Sequence, residues 1–463
     1  MGGAHLDDTA PRVFRSGVLR KFSQPETYSQ TKCCSHFLVA PNRYYLFGIT
    51  KLVLPVYGEL VKKQAFFYRR GSNHYDSVMV LSDKHLISEA RKIAAELPSL
   101  NREIEATRNI PSTIVDRLKT AGIFHALVPK ELGGAETHPL SLIEIIKQIS
   151  KGDAAVGWNV MIGTTTGLLA ASLSKVHARA IYGSEPGVLT VGVTAPSGVA
   201  TSVKGGFLVN GRWGWGSGAV HADWVCGGCV LKEENNEKSF GRKAAPEVWL
   251  MMFSKDQIQL EDTWQVSGMK GTGSNHFSVE NAFVPAGRQV LLGTPTHNAS
   301  PLYKFPTLGL LALGVSSVSL GIGHRALEGF KELANKKIPT GNTATLRDNH
   351  HAKMALAKAT ADIESAEAYI QATVEKCFDA AEKGQKLSSS ERNRLRLAAA
   401  NATLKSAEAV DALYEAGGGS SIYDENVLQR CFRDVHVTTQ HIMVAKPIFE
   451  MTGKALIRDP QKC

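Results

Sequence analysis

The sequence predicts an α+β protein, mostly α, with a β domain set between two helical ones. Three observations predict it: apolar residues recur at helical spacing from Met79 onward, short alternating runs replace them at Gly187, and long helical periods return past about Pro301. On this reading residues 79–186 form an N-terminal helical domain, 187–295 a compact antiparallel β barrel or sandwich, and 296–463 a C-terminal four-helix bundle. Residues 1–78 conform to none of these and read as an extension.

Composition narrows the function classes. At 463 residues, 43% hydrophobic and 21% charged, the chain is long enough to bury a sizeable core in two or three domains. Its formal charge of +10 is concentrated in residues 1–78, where 11 Lys or Arg face 5 Asp or Glu. The body therefore carries little excess charge, which argues against nucleic acid as a partner. Seven irregularly spaced cysteines make no disulfide framework and fit a reducing, cytoplasmic compartment. Cys226 and Cys229 form a C-x-x-C, but no second pair or spaced histidines complete a zinc site, and the run DWVCGGCVL reads as a strand. No stretch reads as a transmembrane helix: Tyr44 to Phe67 is cut by Lys51, Pro55, Glu59 and the Lys62-Lys63 pair. Asp7 and Asp8 stand where a signal peptide would need a basic start.

In the first helical layer Ser82 is an N-cap candidate, followed by Leu86, Ile87, Ala90, Ile93, Ala94 and Leu97 at helical spacing. Ser112 to Ala121 is a short helix closed by Gly122, and Leu140 to Ser150 is amphipathic. Ala154 to Leu173 is apolar nearly all round, which predicts a buried helix. VLTVGVT, GGFLVNGRW, DWVCGGCVL, VWLMMFS and HFSVENAFVP are the strands, with Lys232 to Pro246 a charged loop between two of them. Four helices follow: Leu308–Leu333, Arg347–Lys383, Glu391–Ala416 behind a Ser388-Ser389-Ser390 cap, and one from Val427 to about Gly453.

Within the β region the stretch VNGRWGWGSGAVHADW, Val209 to Trp224, carries the most chemistry. Val209-Asn210-Gly211 reads as a strand ending in a tight turn, and Trp213 and Trp215, two apart, as one face of a second strand. Ser217-Gly218 then sets a hydroxyl beside a residue without a side chain. Such a group suits a flat ring lying against backbone.

Four motifs, in this order, resemble the acyl-CoA dehydrogenase superfamily over roughly residues 80–455, and more narrowly its two-component flavin-dependent monooxygenases. They are Thr194-Ala195-Pro196-Ser197-Gly198, GRWGWGSG, W-x-x-x-G-M-K-G-T-G-S from Trp264 to Ser274, and GGGSSIYDENVLQRCFRDVHVTTQH from Gly417 to His441. The resemblance implies an acyl-CoA dehydrogenase-like fold that binds reduced FMN or FAD, uses O2 by way of a C4a-hydroperoxyflavin, and hydroxylates a small aromatic or heteroaromatic ring. It implies an oligomer, because the glycine turn of such proteins reaches the flavin of a neighbouring subunit, and a homotetramer is the expected form. No G-x-G-x-x-G follows a strand and opens a helix, so a separate NAD(P)H-flavin reductase is expected to supply the electrons by flavin diffusion. No membrane or nucleic-acid partner is expected.

Residue by residue, the resemblance points to Thr194, Ser197, Trp215, Ser217, Gly218, Arg325, Gly418 and Gly419 for the flavin, and to Ser217 and His441, with His436 as the alternative, for catalysis. A hydroxyl near N5 and a dry aromatic wall slow the decay to peroxide of the hydroperoxide that reduced flavin forms with O2, and an imidazole near C4a takes a phenolic proton or protonates the departing oxygen. Arg433-Asp434 is expected to be structural. Two other readings compete: an acyl-CoA dehydrogenase with Glu425 as base, and a flavin-less binding protein on the same fold. Ala195 in place of the acid of the dehydrogenases' Thr-Glu-Pro segment, and the polar start Tyr423-Asp424-Glu425-Asn426, weigh against the first.

Overall fold

A computed structural model of the chain describes residues 81–183, 187–232, 247–292 and 298–458. The N-terminal extension expected over 1–78 and nearly all of the Lys232–Pro246 loop lie outside the described residues.

Helices come first. α1 (Asp83–Thr107) starts at Ser82, whose hydroxyl accepts from His85 N at 3.3 Å. α2 (Ser112–Thr120) leads to Gly122 in the left-handed region (φ +72°), so the chain can turn into the next layer. α3 (Pro139–Gly152) and α4 (Ala154–Thr166) are separated by Asp153, whose carboxylate caps α4 by accepting from Ala155 N and Val156 N. The apolar helix expected to run to Leu173 ends its α-helical part at Thr166 and continues as a 3-10 segment, Gly167–Ala171. Thr164, Thr165 and Thr166 each donate a hydroxyl to a carbonyl one turn back, which competes with regular winding. α5 (Lys175–Tyr182) completes the layer.

Among the described residues the middle region is one seven-stranded sheet in the order β5-β6-β2-β1-β3-β4-β7. Its strands are β1 (Thr190–Val203), β2 (Gly206–Trp213), β3 (Trp224–Lys232), β4 (Trp249–Ser254), β5 (Gln259–Glu261), β6 (His276–Pro285) and β7 (Gln289–Leu291). The expectation of a wholly antiparallel sheet is corrected at one place, because β1 and β3 run parallel, with Thr190 opposite Trp224. β2 returns antiparallel to β1, and residues 214–223 then cross over the start of β1 so that β3 enters on its other side. Asp223 pins the crossover: its Oδ2 accepts from Leu189 N at 2.8 Å and its own N donates to Leu189 O at 2.9 Å. The Trp215-Ser217-Gly218 stretch is therefore a crossover loop, not a second strand. The tight turn expected at Asn210-Gly211 is instead a bulge within β2, where the register to β6 slips.

The C-terminal part holds α6 (Thr307–Lys336), α7 (His350–Glu382), α8 (Ser389–Gly417), α9 (Val427–Thr438) and α10 (Pro447–Arg458). Ser388 and Glu391 form a capping box at the start of α8. The single last helix expected from Val427 to about Gly453 is two. Thr438 and Thr439 turn their hydroxyls onto carbonyls three residues back, and Pro447 can begin a helix but not continue one. α6 is the central element, packed on α3, α8 and α9. At Gly321 a Cβ would come within 2.6 Å of Lys147 O, so α3 and α6 approach as closely as they do only because that position is glycine. Ala154–Ala171 and Thr307–Lys336 are, against the sequence reading, long and apolar enough to cross a membrane by length and composition, but 89% and 78% of the apolar 18-residue window in each are buried inside the protein.

Candidate functional site

Trp158 on α4 stands at the meeting point of the two groups singled out for catalysis. Its indole Nε1 donates to Ser217 Oγ at 3.0 Å, and its ring lies edge-on to His441 with centroids 5.6 Å apart. Residues far apart in sequence thus share one aromatic side chain, itself buried.

On the Ser217 side a row of hydroxyls continues inward. Ser217 Oγ lies 2.7 Å from Ser274 Oγ, Ser274 Oγ lies 2.6 Å from Thr272 Oγ1, and Thr272 Oγ1 donates to Met269 O at 2.9 Å. The backbone locks the two loops together, with Gly216 N donating to Asn275 O and Gly218 N to Thr272 O. Gly218 is left-handed (φ +73°), a conformation that L side chains rarely adopt, which lets the crossover fold back. Asn159 Nδ2 donates to Thr272 O, while its Oδ1 is buried without a partner.

The two tryptophans expected on one face part company. Trp213 ends β2 fully buried, stacked on Phe277 at 5.0 Å and donating Nε1 to Gly228 O at 2.8 Å. Trp215 is 69% exposed with φ +62°. A bulky residue held in the left-handed region, its ring in solvent, is a strained conformation that packing does not repay.

On the other side His441 sits in the turn between α9 and α10 rather than on a helix. Its Nδ1 accepts from Met443 N at 3.3 Å, so the neutral ring carries its proton on Nε2. Burial pushes its pKa down to about 4, which keeps it neutral at physiological pH. His436 points elsewhere: it is half-exposed, with Nε2 2.8 Å from Asp411 Oδ1 on α8 and its ring edge on Phe432.

The remaining expected residues are dispersed. Thr194 and Ser197 lie inside β1, not at a strand end; the register to β3 slips on both sides of Pro196, and residues 194–197 are exposed there. Bulges of this kind re-aim a strand beside a site. Arg325 on α6 faces Glu332 at 3.5 Å, and its Nε is buried without a partner. Gly418 adopts φ +57°, ψ −154°, a conformation open essentially to glycine alone, and nothing lies within 4 Å of a Cβ built at Gly419. Glu425 is exposed at the rim of an open depression lined by Ser420, Tyr423 and Asn426. Cys226 and Cys229 are buried on β3, their thiols pushed up to about 12 by burial.

Arg433 and Asp434 hold the frame. Asp434 Oδ1 accepts from Met269 N at 2.6 Å, which secures a residue whose φ of +54° is otherwise disfavoured. Burial raises the Asp434 pKa to about 6 against the opposing pull of Arg430, which also donates to Asp153 at 2.6 Å. Arg433 bonds Glu105, Gln429 and the Ser267 carbonyl, so α9 is tied to α1 and to the loop bearing Thr272 and Ser274. Sequence reasoning missed Trp158, although it is the one large aromatic in a small-residue helix. It also quoted Thr272 and Ser274 within a motif without giving them a role.

The chain matches the model of the acyl-CoA dehydrogenase N-terminal domain over residues 82–176 and that of the acyl-CoA dehydrogenase C-terminal domain over residues 313–446. It is 31% identical to an indole-3-acetate monooxygenase from Pseudomonas putida, over 76% of this chain and 88% of that protein. A flavin-dependent monooxygenase oxygenase subunit, HsaA, from Rhodococcus jostii is 28% identical over 76% of this chain and 93% of its own length. Among solved structures, XiaF from Streptomyces sp. in complex with FADH2 and glycerol superposes with a TM-score of 0.75 at 24% identity, covering 81% of this chain and 96% of that one.

Proposed function

The chain belongs to the flavin-dependent monooxygenases built on the acyl-CoA dehydrogenase fold, and on that premise we propose that it is the oxygenase component of a two-component system. It takes reduced FMN or FAD from a separate NAD(P)H-flavin reductase and uses O2 to hydroxylate a small aromatic or heteroaromatic molecule, an indole-like ring being the first to try, given the indole-3-acetate monooxygenase relative. The observation that carries this reading is the Trp158 indole held between the Ser217 hydroxyl and the His441 imidazole.

The residues present suit such a cofactor. An exposed indole at Trp215, a hydroxyl at Ser217 and side-chain-free backbone at Gly218 are what a flat ring system with polar edges needs. Bound reduced flavin supplies the electrons that activate O2. Ser217 holds a polar ring edge, the Trp158 and Trp213 region excludes water, and His441 presents Nε2–H, which donates to substrate or oxygen in its neutral form. With a pKa near 4 the ring stays neutral and acts as a hydrogen-bond donor through Nε2–H rather than as a base collecting a phenolic proton.

The dehydrogenase reading would place Glu425 in a desolvated position, whereas it is exposed. The test is oxygen uptake by the purified protein with a generic flavin reductase, NADH, FMN or FAD, and a panel of indoles and phenols. Uptake matched by hydroxylated product supports the proposal. Release of all oxygen as peroxide with every ring, together with bleaching of a bound yellow flavin by an acyl-CoA, overturns it in favour of a dehydrogenase; failure of any flavin to bind favours a binding protein.

A further inference from the structure

The row of hydroxyls behind Ser217 has a direction. Trp158 Nε1 can only donate, so Ser217 Oγ always accepts at that end. Each hydroxyl has a single proton to give. If Thr272 gives its proton to the Met269 carbonyl, Ser274 must give its own to Thr272, and Ser217 must give its own to Ser274. Ser217 then has one lone pair left and no free proton. In the reverse order Thr272 donates to Ser274 and Ser274 to Ser217, the Ser217 proton is freed, and the bond to the Met269 carbonyl is lost. The first order makes one hydrogen bond more. Its end point is fixed in place: Trp264 Nε1 and Thr272 N also donate to the Met269 carbonyl, and Asp434 holds Met269 N.

We propose that this relay, running from Trp158 through Ser217, Ser274 and Thr272 to the Met269 carbonyl, sets Ser217 as an acceptor and thereby makes the site prefer reduced over oxidised flavin. Reduced flavin carries a hydrogen on N5 and donates it to the spare lone pair of Ser217; oxidised flavin presents a bare N5, which needs a donor and must reverse the relay. Ser217 is 6% exposed. Ser274 and Thr272 are positioning residues: they act through Ser217. The inference rests on the flavin reading above and gives it a physical purpose, since a component fed by diffusing reduced flavin gains from releasing the oxidised form.

The experiment is an anaerobic titration of the full chain with dithionite-reduced and with oxidised FMN and FAD, followed by flavin and tryptophan fluorescence. Thr272→Val keeps the side-chain shape but removes the last link, and Ser274→Ala cuts the relay next to Ser217. Both are expected to lower the preference for reduced flavin about fivefold to tenfold, the worth of about one hydrogen bond. A tenfold change in this ratio equals a shift of about 30 mV in the two-electron potential of the bound flavin. Thr272→Ser restores the wild-type ratio, which a purely structural role for the methyl group would not. Flavin binding with an unchanged ratio in both variants overturns the relay alone. Absence of flavin binding by the wild-type chain overturns the relay and the flavin reading together.

Discussion

Ser217 and His441 touch the same indole, yet they are held in opposite ways. Ser217 is buried in a row of short hydrogen bonds with the backbone of two loops locked around it. His441 sits in an irregular turn, with one 3.3 Å bond from Met443 N and an edge contact to Trp158, and its Nε2 has no partner among the described residues. The first arrangement fixes an orientation; the second leaves a proton available. A site that must both hold a ring and offer a hydrogen-bond donor to the reacting oxygen gains from keeping these tasks on separate elements.

The comparison breaks most visibly at the histidine. His441→Ala is expected to slow hydroxylation about 100-fold, within the usual range for loss of a positioned hydrogen-bond donor to developing charge, while changing flavin affinity less than about threefold. Single-turnover product formation and a flavin titration check this. A full hydroxylation rate would remove His441 from the chemistry.

Acid titration sharpens the contrast next, because the hydroxyl row contains no group that ionises in this range. The folded-state pKa of His441, about 4, lies below its ordinary value of 6.5, so the unfolded chain binds more protons between these limits. Stability from this group is therefore fully present above pH 6.5 and lost as pH falls towards 4. After discounting for the partial exposure of the ring, about 2 kcal/mol is at stake. His125, fully buried and also lowered to about 4, adds to the same window. Denaturant melts between pH 7 and pH 4 should show a shallower loss in His441→Gln than in wild type; parallel curves would contradict the assignment.

The smallest effect is expected on the other side. Ser217→Ala should raise the ratio of peroxide to hydroxylated product about tenfold, roughly 1.4 kcal/mol, with the chain still folded. Coupled assays for peroxide and product read this directly, and equal coupling would deny Ser217 its role.

Much of this architecture was legible beforehand because it depends on local chemistry. Ser82 and Ser388 begin helices through their own side chains, and the change from helical to alternating period at Gly187 reflects which faces must be buried. Trp213 and Trp215 show where such reading ends. Two residues apart, they were assigned one face, but the strand stops at Trp213 and the crossover throws Trp215 outward. Likewise the period through Val427–Gly453 continues smoothly, and only the threonine back-bonds and the restart at Pro447 place His441 in a turn.

By itself the amino-acid order determined the helical, β, helical succession, the family motifs and the singling out of one serine and one histidine within them. Tertiary structure alone decided that Trp158 joins them, that Thr272 and Ser274 extend the hydroxyl row, and that β3 lies parallel to β1. The reason is physical. Periods and caps act over a few residues, whereas a hydrogen bond between positions 158 and 217, or a ring contact between 158 and 441, exists only after three separate layers have packed against one another.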